Sequence, residues 1–396
     1  MPSPSEPARS LGIERQLAIY REGLAGRTIS VPVSHKRLEA RARELMAFPA
    51  FEYVSGGAGG EDTMRANREA FRHWRIAPRM LRDVSSRDLS VSVLGRRFPA
   101  PFLLAPVGVQ GIVHPDGELA VARAAATLGV PMILSTVSSF TLEQVAQALG
   151  ATPRWFQLYW SSDPDLAASF LRRAEAAGYE AVVVTVDTPM LAWRERDLAE
   201  AYLPFLQGHG LANYITDPVF RQALPEPPES NATPAIERFT AVFGNAALTW
   251  ADLAWLRSHT RLPVLIKGIV RAEDAERAVS AGVDGIIVSN HGGRQVDGAL
   301  ASLDSLVAVV DRVGGKIPIL FDSGIRRGAD AFKALALGAT AVLLGRLYVW
   351  GLGVAGEAGV RDVLHNFLAD FDLTLGLSGY ASVAELDRSA LVKTGS

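Results

Sequence analysis

The stretch Ser289-Asn-His291-Gly-Gly-Arg294 sets an imidazole and a guanidinium three residues apart across two glycines. Imidazole exchanges a proton near neutral pH without a large shift, so His291 is the natural general base. Arg294 can grip a carboxylate through paired N–H groups. Asp187 can hold the imidazole and stabilise its protonated form. Arg194 can be the second arm of a carboxylate clamp. It also lies in the charged stretch Arg194-Glu-Arg-Asp197, where a solvated arginine is as natural, and spacing leaves both readings open. A lone histidine is more often structural than catalytic; the flanking glycines and Arg294 favour a site.

Other polar residues close short apolar runs. One run ends Gln157-Leu-Tyr159, another Thr185-Val-Asp187, another in Lys267. Two more end Asp322-Ser-Gly-Ile-Arg326 and Gly345-Arg346. Polar groups in buried strands are costly, so six such endings on one face point to a site. Gly324 and Gly345 let backbone N–H groups approach an anion, and Arg326 and Arg346 add charge, which suits a phosphate. Turn glycines with solvated arginines are the plain alternative.

The runs themselves are Phe102–Ala105, Met132–Ser135, Trp155–Tyr159, Ala181–Asp187, Val264–Lys267, Gly285–Asn290, Ile319–Asp322 and Ala341–Gly345. They are continuously apolar, as strands buried on both faces should be. Helical patterns alternate with them: Glu118–Leu128, Leu142–Leu149, Leu166–Ala177, Ala272–Ala281 and Ala329–Leu337, several closed by glycine. Eight strand–helix alternations predict an α/β fold, a (β/α)8 TIM barrel. An open doubly wound sheet would want Gly-x-Gly-x-x-Gly after the first strand, and Ala105-Pro-Val-Gly-Val-Gln110 is not that.

Two segments fall outside the repeat. Residues 1–100 carry helical patterns (Lys36–Met46, Met64–Phe71) and a short run, Val91-Ser-Val-Leu94, expected to cover the barrel's N-terminal end. Residues 188–247 form an insertion after strand four, on the catalytic face, placed to act as a lid; an oligomer contact is the plainer alternative. Its proline-rich middle, Leu224-Pro-Glu-Pro-Pro-Glu-Ser-Asn231, is expected to be mobile. The division expected is an N-terminal arm (1–34), the barrel (35–385, with its N-terminal helical cover and loop-4 lid) and a C-terminal tail (386–396).

The totals agree with a globular enzyme. Forty basic and 42 acidic residues leave a net charge of −2, which gives no reason to expect a nucleic-acid or membrane partner. Cysteine is absent, which removes disulfides, zinc–thiolate sites and cysteine nucleophiles. No metal is expected. Met1 to Ser10 lacks a basic region followed by an apolar run, and no stretch nears the ~20 apolar residues of a membrane span, so the cytoplasm is the expected location.

At these residues the chain resembles the FMN-dependent 2-hydroxy-acid oxidase and dehydrogenase family. The carrying stretches are Ser289-Asn-His-Gly-Gly-Arg-Gln295, Asp322-Ser-Gly-Ile-Arg-Arg-Gly328, Gln157-Leu-Tyr159, Thr185-Val-Asp-Thr-Pro189 and Tyr53-Val-Ser-Gly-Gly57, across about residues 35–385. Within the family it looks most like lactate 2-monooxygenase, through Pro204-Phe-Leu206 and Asn213-Tyr-Ile-Thr-Asp-Pro-Val-Phe220 in the long insertion. The resemblance implies that His291 takes a proton from the substrate, with Asp187 supporting its charge. It implies that Arg194 and Arg294 bind the carboxylate, that Tyr53 and Tyr159 hydrogen-bond the substrate, and that Lys267 stabilises reduced flavin. It further implies that Pro106, Val107, Ser135, Gln157, Thr185, Ser289 and Asp322 contact the cofactor, and that Gly324, Arg326, Gly345 and Arg346 hold its phosphate. A homotetramer or homo-octamer is implied, with a small 2-hydroxy acid and O2 as partners.

Two positions refine that expectation. Lactate oxidases resembling this chain carry alanine at Gly108, so a glycine is expected to leave room beside the flavin. Glycolate oxidase carries tryptophan at Val137, so a smaller side chain is expected to admit lactate or a larger substrate. The expected reaction is lactate-like oxidation, with retained product decarboxylated to acetate, CO2 and water. A plain oxidase releasing 2-oxo acid and hydrogen peroxide, and a dehydrogenase for a bulkier, mandelate-like acid, are the alternatives. Trp160 and Trp193 depart from the monooxygenase pattern and are expected to reshape the side-chain pocket. A non-redox aldolase or isomerase would explain Lys267 and the phosphate glycines but not His291 with two arginines. A non-catalytic scaffold would leave the filled catalytic positions without a purpose.

Overall fold

Eight parallel strands close into a barrel in a computed structural model that describes residues 10–394. The strands are β1 (Phe102–Leu104), β2 (Met132–Ser135), β3 (Arg154–Leu158), β4 (Val182–Thr185), β5 (Val264–Ile269), β6 (Gly285–Val288), β7 (Ile319–Phe321) and β8 (Ala341–Leu344). Each coincides with an expected run to within two residues at either end. Alternate residues point to opposite faces. Leu103, Ile133, Trp155, Val183, Leu265, Ile287, Leu320 and Leu343 form one cluster inside the barrel. Their neighbours Leu104, Leu134, Phe156, Val184, Ile266, Val288, Phe321 and Leu344 belong to the larger core that packs under the helices. Both faces are dry, which is why the runs lack a polar alternation.

The helices start and stop where local chemistry dictates. Leu142–Leu149 is opened by a capping box between Thr141 and Gln144. Gly117–Leu128 ends on Gly129 in the left-handed region. Strand β5 carries an irregularity between Lys267 and Ile269, where Gly268 sits at φ +112°. A Cβ on Gly268 would lie 2.7 Å from the Asp187 Cβ, so only glycine lets these two strand ends close up.

The N-terminal hundred residues do two jobs, not the one expected. The hairpin of Val91–Val93 and Arg96–Phe98 sends Val93 and Phe98 into the inner cluster and closes the barrel bottom, as anticipated. The helix Phe48–Ser55 instead delivers Tyr53 and Val54 to the cleft at the opposite, C-terminal mouth. The polar signal for this was weak, because the helix bears few charges. The expected arm and tail are also built in. Helix Leu11–Leu24 is tied to the buried Asp372 through Ser10 Oγ (2.8 Å) and Gly12 N (2.9 Å). Leu391–Lys393 pairs antiparallel with Trp74–Ile76. The parts of the arm and tail at 1–9 and 395–396 lie outside the described residues.

The insertion is a packed subdomain. Helices Ala212–Ile215, Pro218–Gln222 and Thr233–Val242 bury an aromatic cluster of Phe205, Tyr214, Phe220, Phe239 and Phe243, with ring centroids about 5 to 6 Å apart. Buried Asp217 caps one helix at Val219 N (2.9 Å) and pairs with Arg173 (3.1 Å) on the barrel. The proline-rich 224–231 stretch, expected to be mobile, is a short surface link pinned by an Arg221–Glu229 ion pair (2.7 Å). Among the described residues, no helix is long and apolar enough to cross a membrane.

Candidate active site

One cleft at the C-terminal mouth of the barrel gathers most of the singled-out residues. Tyr53, Pro106, Val107, Gly108, Val137, Tyr159, Arg194, Lys267, His291, Arg294, Asp322, Gly324, Arg326, Gly345 and Arg346 all line it. Asp187 (on His291), Ser289 (on Lys267), Ser135 (on Val137) and Gln157 (on Ser135) stand just behind this lining, while Thr185 lines a neighbouring cleft.

His291 Nδ1 lies 2.8 Å from Asp187 Oδ1, and Thr188 Oγ1 donates to the same carboxylate oxygen at 3.0 Å. With Nδ1–H donating to Asp187, Nε2 is left free to accept a proton. Burial is the largest influence on His291 and lowers its pKa; Asp187 opposes this, while Lys267 and Arg194 reinforce it, and the net direction is down. Burial would raise Asp187, but His291 and Lys267 outweigh it and hold the carboxylate below its usual range. The base therefore rests neutral beside an ionised partner. His291 itself has φ +58°, a left-handed conformation that costs a non-glycine residue energy and clusters at functional sites.

That conformation is held by a polar chain. His291 N donates to Ser289 Oγ (3.0 Å), and Gly292 N donates to Ser323 Oγ (2.9 Å). Ser323 Oγ in turn donates to Asp322 (2.8 Å), and Lys267 Nζ reaches both Asp322 (3.1 Å) and Ser289 (2.9 Å). Burial would lower Lys267, yet Asp322 and Asp187 outweigh it and keep the ammonium charged.

The question left open for Arg194 is answered by burial. Only 8% exposed, it lines the cleft, braced by Gln295 Oε1 (3.0 Å), the Arg294 carbonyl (3.2 Å) and Asp197 (3.7 Å). Arg294 donates to the carbonyls of Tyr53 and Gly56, both at 2.7 Å, and lies over the Tyr53 ring. Burial and the adjacent Arg194 lower its pKa to about 10. Two desolvated guanidiniums side by side disfavour each other, and an anion between them would relieve that.

The FMN-dependent dehydrogenase family matches residues 42–393. The chain is 47% identical to an L-lactate oxidase of Lysinibacillus sphaericus, over 91% of this chain and 93% of that one. It is 42% identical to an FMN-dependent alpha-hydroxy acid dehydrogenase of Penicillium citrinum, over 95% and 94%. A crystal structure of mandelate oxidase superposes with a TM-score of 0.81 at 40% identity, over 92% of this chain and 98% of that one. The chain belongs to the FMN-dependent dehydrogenase family. It is an FMN enzyme that oxidises 2-hydroxy acids.

The cleft of this FMN-dependent dehydrogenase suits the cofactor. The buried Gln157 Nε2 has no hydrogen-bond partner among the described residues, a donor in want of an acceptor. Among the described residues the Arg326 guanidinium donates to the Ile325 carbonyl, lies over Trp350 and makes no ion pair; burial lowers its pKa to about 10. A Cβ on Gly345 would meet nothing nearer than Ala105 Cβ at 4.0 Å, so a side chain there would fill the cradle. Arg346 differs from the simple phosphate contact expected. It spends three N–H groups on the carbonyls of Val54, Gly292 and Gly56, between 2.8 and 3.2 Å, so it also fixes the helix bearing Tyr53.

Three expectations change. Gly108 does not simply leave room for the cofactor: an added Cβ would lie 2.5 Å from both Val137 Cγ2 and Val137 O. The glycine is demanded by the close approach of two loops. Trp160 leaves the substrate pocket and packs against Trp255 with ring centroids 5.7 Å apart. Trp193 is 72% exposed on the surface. Neither shapes the pocket. The residues that do, Leu191, Phe205 and Phe243, come largely from the insertion and were not singled out. Phe205 stands in a motif already noted, Pro204-Phe-Leu206, but an aromatic in a lid carries no polar mark. Gln295 and Ser323, which brace Arg194 and the His291 loop, were likewise missed although each adjoins a chosen residue.

Proposed function

We propose that this chain oxidises a small L-2-hydroxy acid with an apolar side chain, lactate first, to the 2-oxo acid, and passes the electrons to O2. The reading rests chiefly on the 2.8 Å His291–Asp187 contact within the same cleft as the two buried arginines. Arg194 and Arg294 bind the carboxylate, with Tyr53 and Tyr159 as hydrogen-bonding neighbours. Tyr159 is held neutral by burial and can only donate or accept a hydrogen bond. His291 Nε2 takes a proton from the substrate, and the resulting imidazolium is stabilised by Asp187. FMN held in the cleft would supply the acceptor for the two electrons and the second hydrogen that leave the substrate, and would hand them on to oxygen, which with the proton from His291 gives hydrogen peroxide. Lys267, kept charged, places a fixed positive charge where the cofactor gains negative charge.

Substrate size follows from the apolar end of the cleft, where Val137, Leu191, Phe205 and Phe243 stand. The name L-lactate oxidase on one relative and mandelate oxidase on a structural neighbour supports both small and aryl side chains. The second reading concerns the product. If pyruvate stays enclosed beneath Phe205 and Phe243, hydrogen peroxide attacks its carbonyl carbon and the C1–C2 bond breaks. Pyruvate and peroxide then yield acetate, CO2 and water. Early release gives pyruvate and peroxide. Turnover of L-lactate in air, with acetate and peroxide both quantified, tests the two together. Acetate without free peroxide supports retention. Absence of any 2-hydroxy-acid turnover overturns the whole reading.

A further inference from the structure

Glu118, in the first turn of helix Gly117–Leu128, is fully buried and pairs with no cation among the described residues. Its Oε1 accepts from two backbone N–H groups on different loops. Gln110 N is 3.0 Å away, on the loop after β1, and Ser139 N is 3.1 Å away, on the loop after β2. Its Oε2 has no hydrogen-bond partner among the described residues. A buried carboxylate in that state is expensive, and burial pushes its pKa up to about 7. Such a group persists where its geometry is needed.

What those loops carry gives the reason. The first holds Val107 and Gly108, and the second holds Val137, all lining the cleft. The same pair of loops is joined again by Val109 N to Val137 O (2.8 Å) and Gly111 N to Ser139 Oγ (2.9 Å). The second loop also anchors the insertion. Ala212 N donates to Ser138 O (3.2 Å), and Asn213 Nδ2 donates to Thr136 O (2.9 Å). A Cβ on Gly210 would lie 2.3 Å from Val109 Cγ1, so the insertion rests on the first loop too.

We propose that Glu118 is a positioning residue: by joining Gln110 N to Ser139 N it sets the spacing of Gly108 and Val137, and with it the wall that the flavin and the substrate side chain share. The inference rests on the hydroxy-acid reading for its substrate arm alone. A glutamine at 118 keeps one oxygen able to accept from both N–H groups; a leucine keeps the volume and removes the acceptor.

The test compares Glu118→Leu, Glu118→Gln and the milder Ser139→Ala as FMN-loaded proteins. The readouts are the visible absorption band of bound FMN, its dissociation constant, and KM against kcat for L-lactate and L-mandelate. For Glu118→Leu the expected result is a shifted band and a ratio of the two KM values altered about tenfold, with Glu118→Gln within about threefold of wild type. Ser139→Ala, which loses one tie, is expected to move the ratio the same way by about twofold to threefold. An unshifted band with an unchanged KM ratio in Glu118→Leu overturns the proposal, as does a Gln variant as impaired as the Leu one. If Glu118→Leu does not fold, Glu118→Asp, whose shorter side chain cannot reach both N–H groups at once, takes its place, and an unchanged band and KM ratio there overturns the proposal. If wild type turns over neither acid, the hydroxy-acid reading fails, and the absorption band and FMN affinity still decide the role of Glu118.

Discussion

His291 Nδ1 and Asp187 Oδ1 are 2.8 Å apart although 104 residues separate them in the chain. The barrel makes this contact by ending β4 and β6 on either side of β5, whose irregularity at Gly268 lets Asp187 close in. The pairing favours the tautomer with Nδ1 protonated and sets an ionised carboxylate beside the imidazole, as the proposed role of His291 as base requires.

The pH dependence follows from the sign of the shifts. His291 is active as a base when neutral, and burial lowers its pKa from the usual value near 6.5. The acid limb of kcat/KM is therefore expected below pH 6.5. Asp187 raises the His291 pKa, so Asp187→Asn moves that limb further down. The same change removes the partner of the imidazolium and lowers kcat on the order of a hundredfold or more. A pH–rate profile of both proteins checks this; a limb that moves upward in the variant contradicts it.

Lys267→Met removes the buried ammonium that Asp322 and Asp187 keep charged. FMN should still bind through the Arg326 end of the cleft. Flavin reduction by substrate should slow on the order of a hundredfold, read by anaerobic stopped-flow bleaching. An unchanged bleaching rate would remove Lys267 from the electrostatic account.

The two arginines should respond differently to lysine. Arg194→Lys is expected to raise KM by roughly tenfold to a hundredfold with the smaller loss of stability, since the bonds it gives up, to Gln295 and the Arg294 carbonyl, are longer at 3.0 and 3.2 Å. Arg294→Lys also loses the bonds to the Tyr53 and Gly56 carbonyls, each worth about 1.5–3 kcal/mol, so its melting temperature should fall as well. Thermal unfolding beside steady-state kinetics separates the two effects.

Product fate should depend on the lid's aromatics and not on its proline-rich link. Phe205→Ala or Phe243→Ala opens the roof of the cleft and should raise the share of 2-oxo acid and peroxide released. Shortening 224–231 leaves the aromatic cluster in place and should leave the product ratio as it was. Equal shifts in both kinds of variant would argue against an aromatic roof.

Gly108→Ala should perturb the site through Val137. The added methyl meets Val137 Cγ2 and O at 2.5 Å, so the loops must part, and FMN affinity and KM should both suffer. Adding Val137→Ala removes one of the two clashes and should restore part of the loss, because the carbonyl clash remains.

The barrel was legible in the sequence because strands buried on both faces write themselves as unbroken apolar runs, with helices marked by glycine stops. The candidate site residues were legible because His291, Lys267 and the arginines are charged or titratable groups at buried strand ends, where they stand out. What escaped was apolar or indirect. Phe205 and Phe243 reach the cleft only because an aromatic cluster folds the insertion back over it. Tyr53 was placed by resemblance, and its helix leaves the barrel bottom for the mouth through tertiary packing that no local pattern records. Glu118 reads as an ordinary acidic residue in a first helical turn, and its isolation appears only once the loops close around it.

The central claim is that His291, Asp187 and the two arginines oxidise a 2-hydroxy acid on bound FMN. Anaerobic mixing of the FMN-loaded protein with L-lactate, followed at the flavin absorption band, tests it most directly. The account predicts bleaching by L-lactate in the wild type and none in His291→Ala that retains its FMN. Persistent colour with L-lactate and with L-mandelate in the wild type, or undiminished bleaching in His291→Ala, would contradict it.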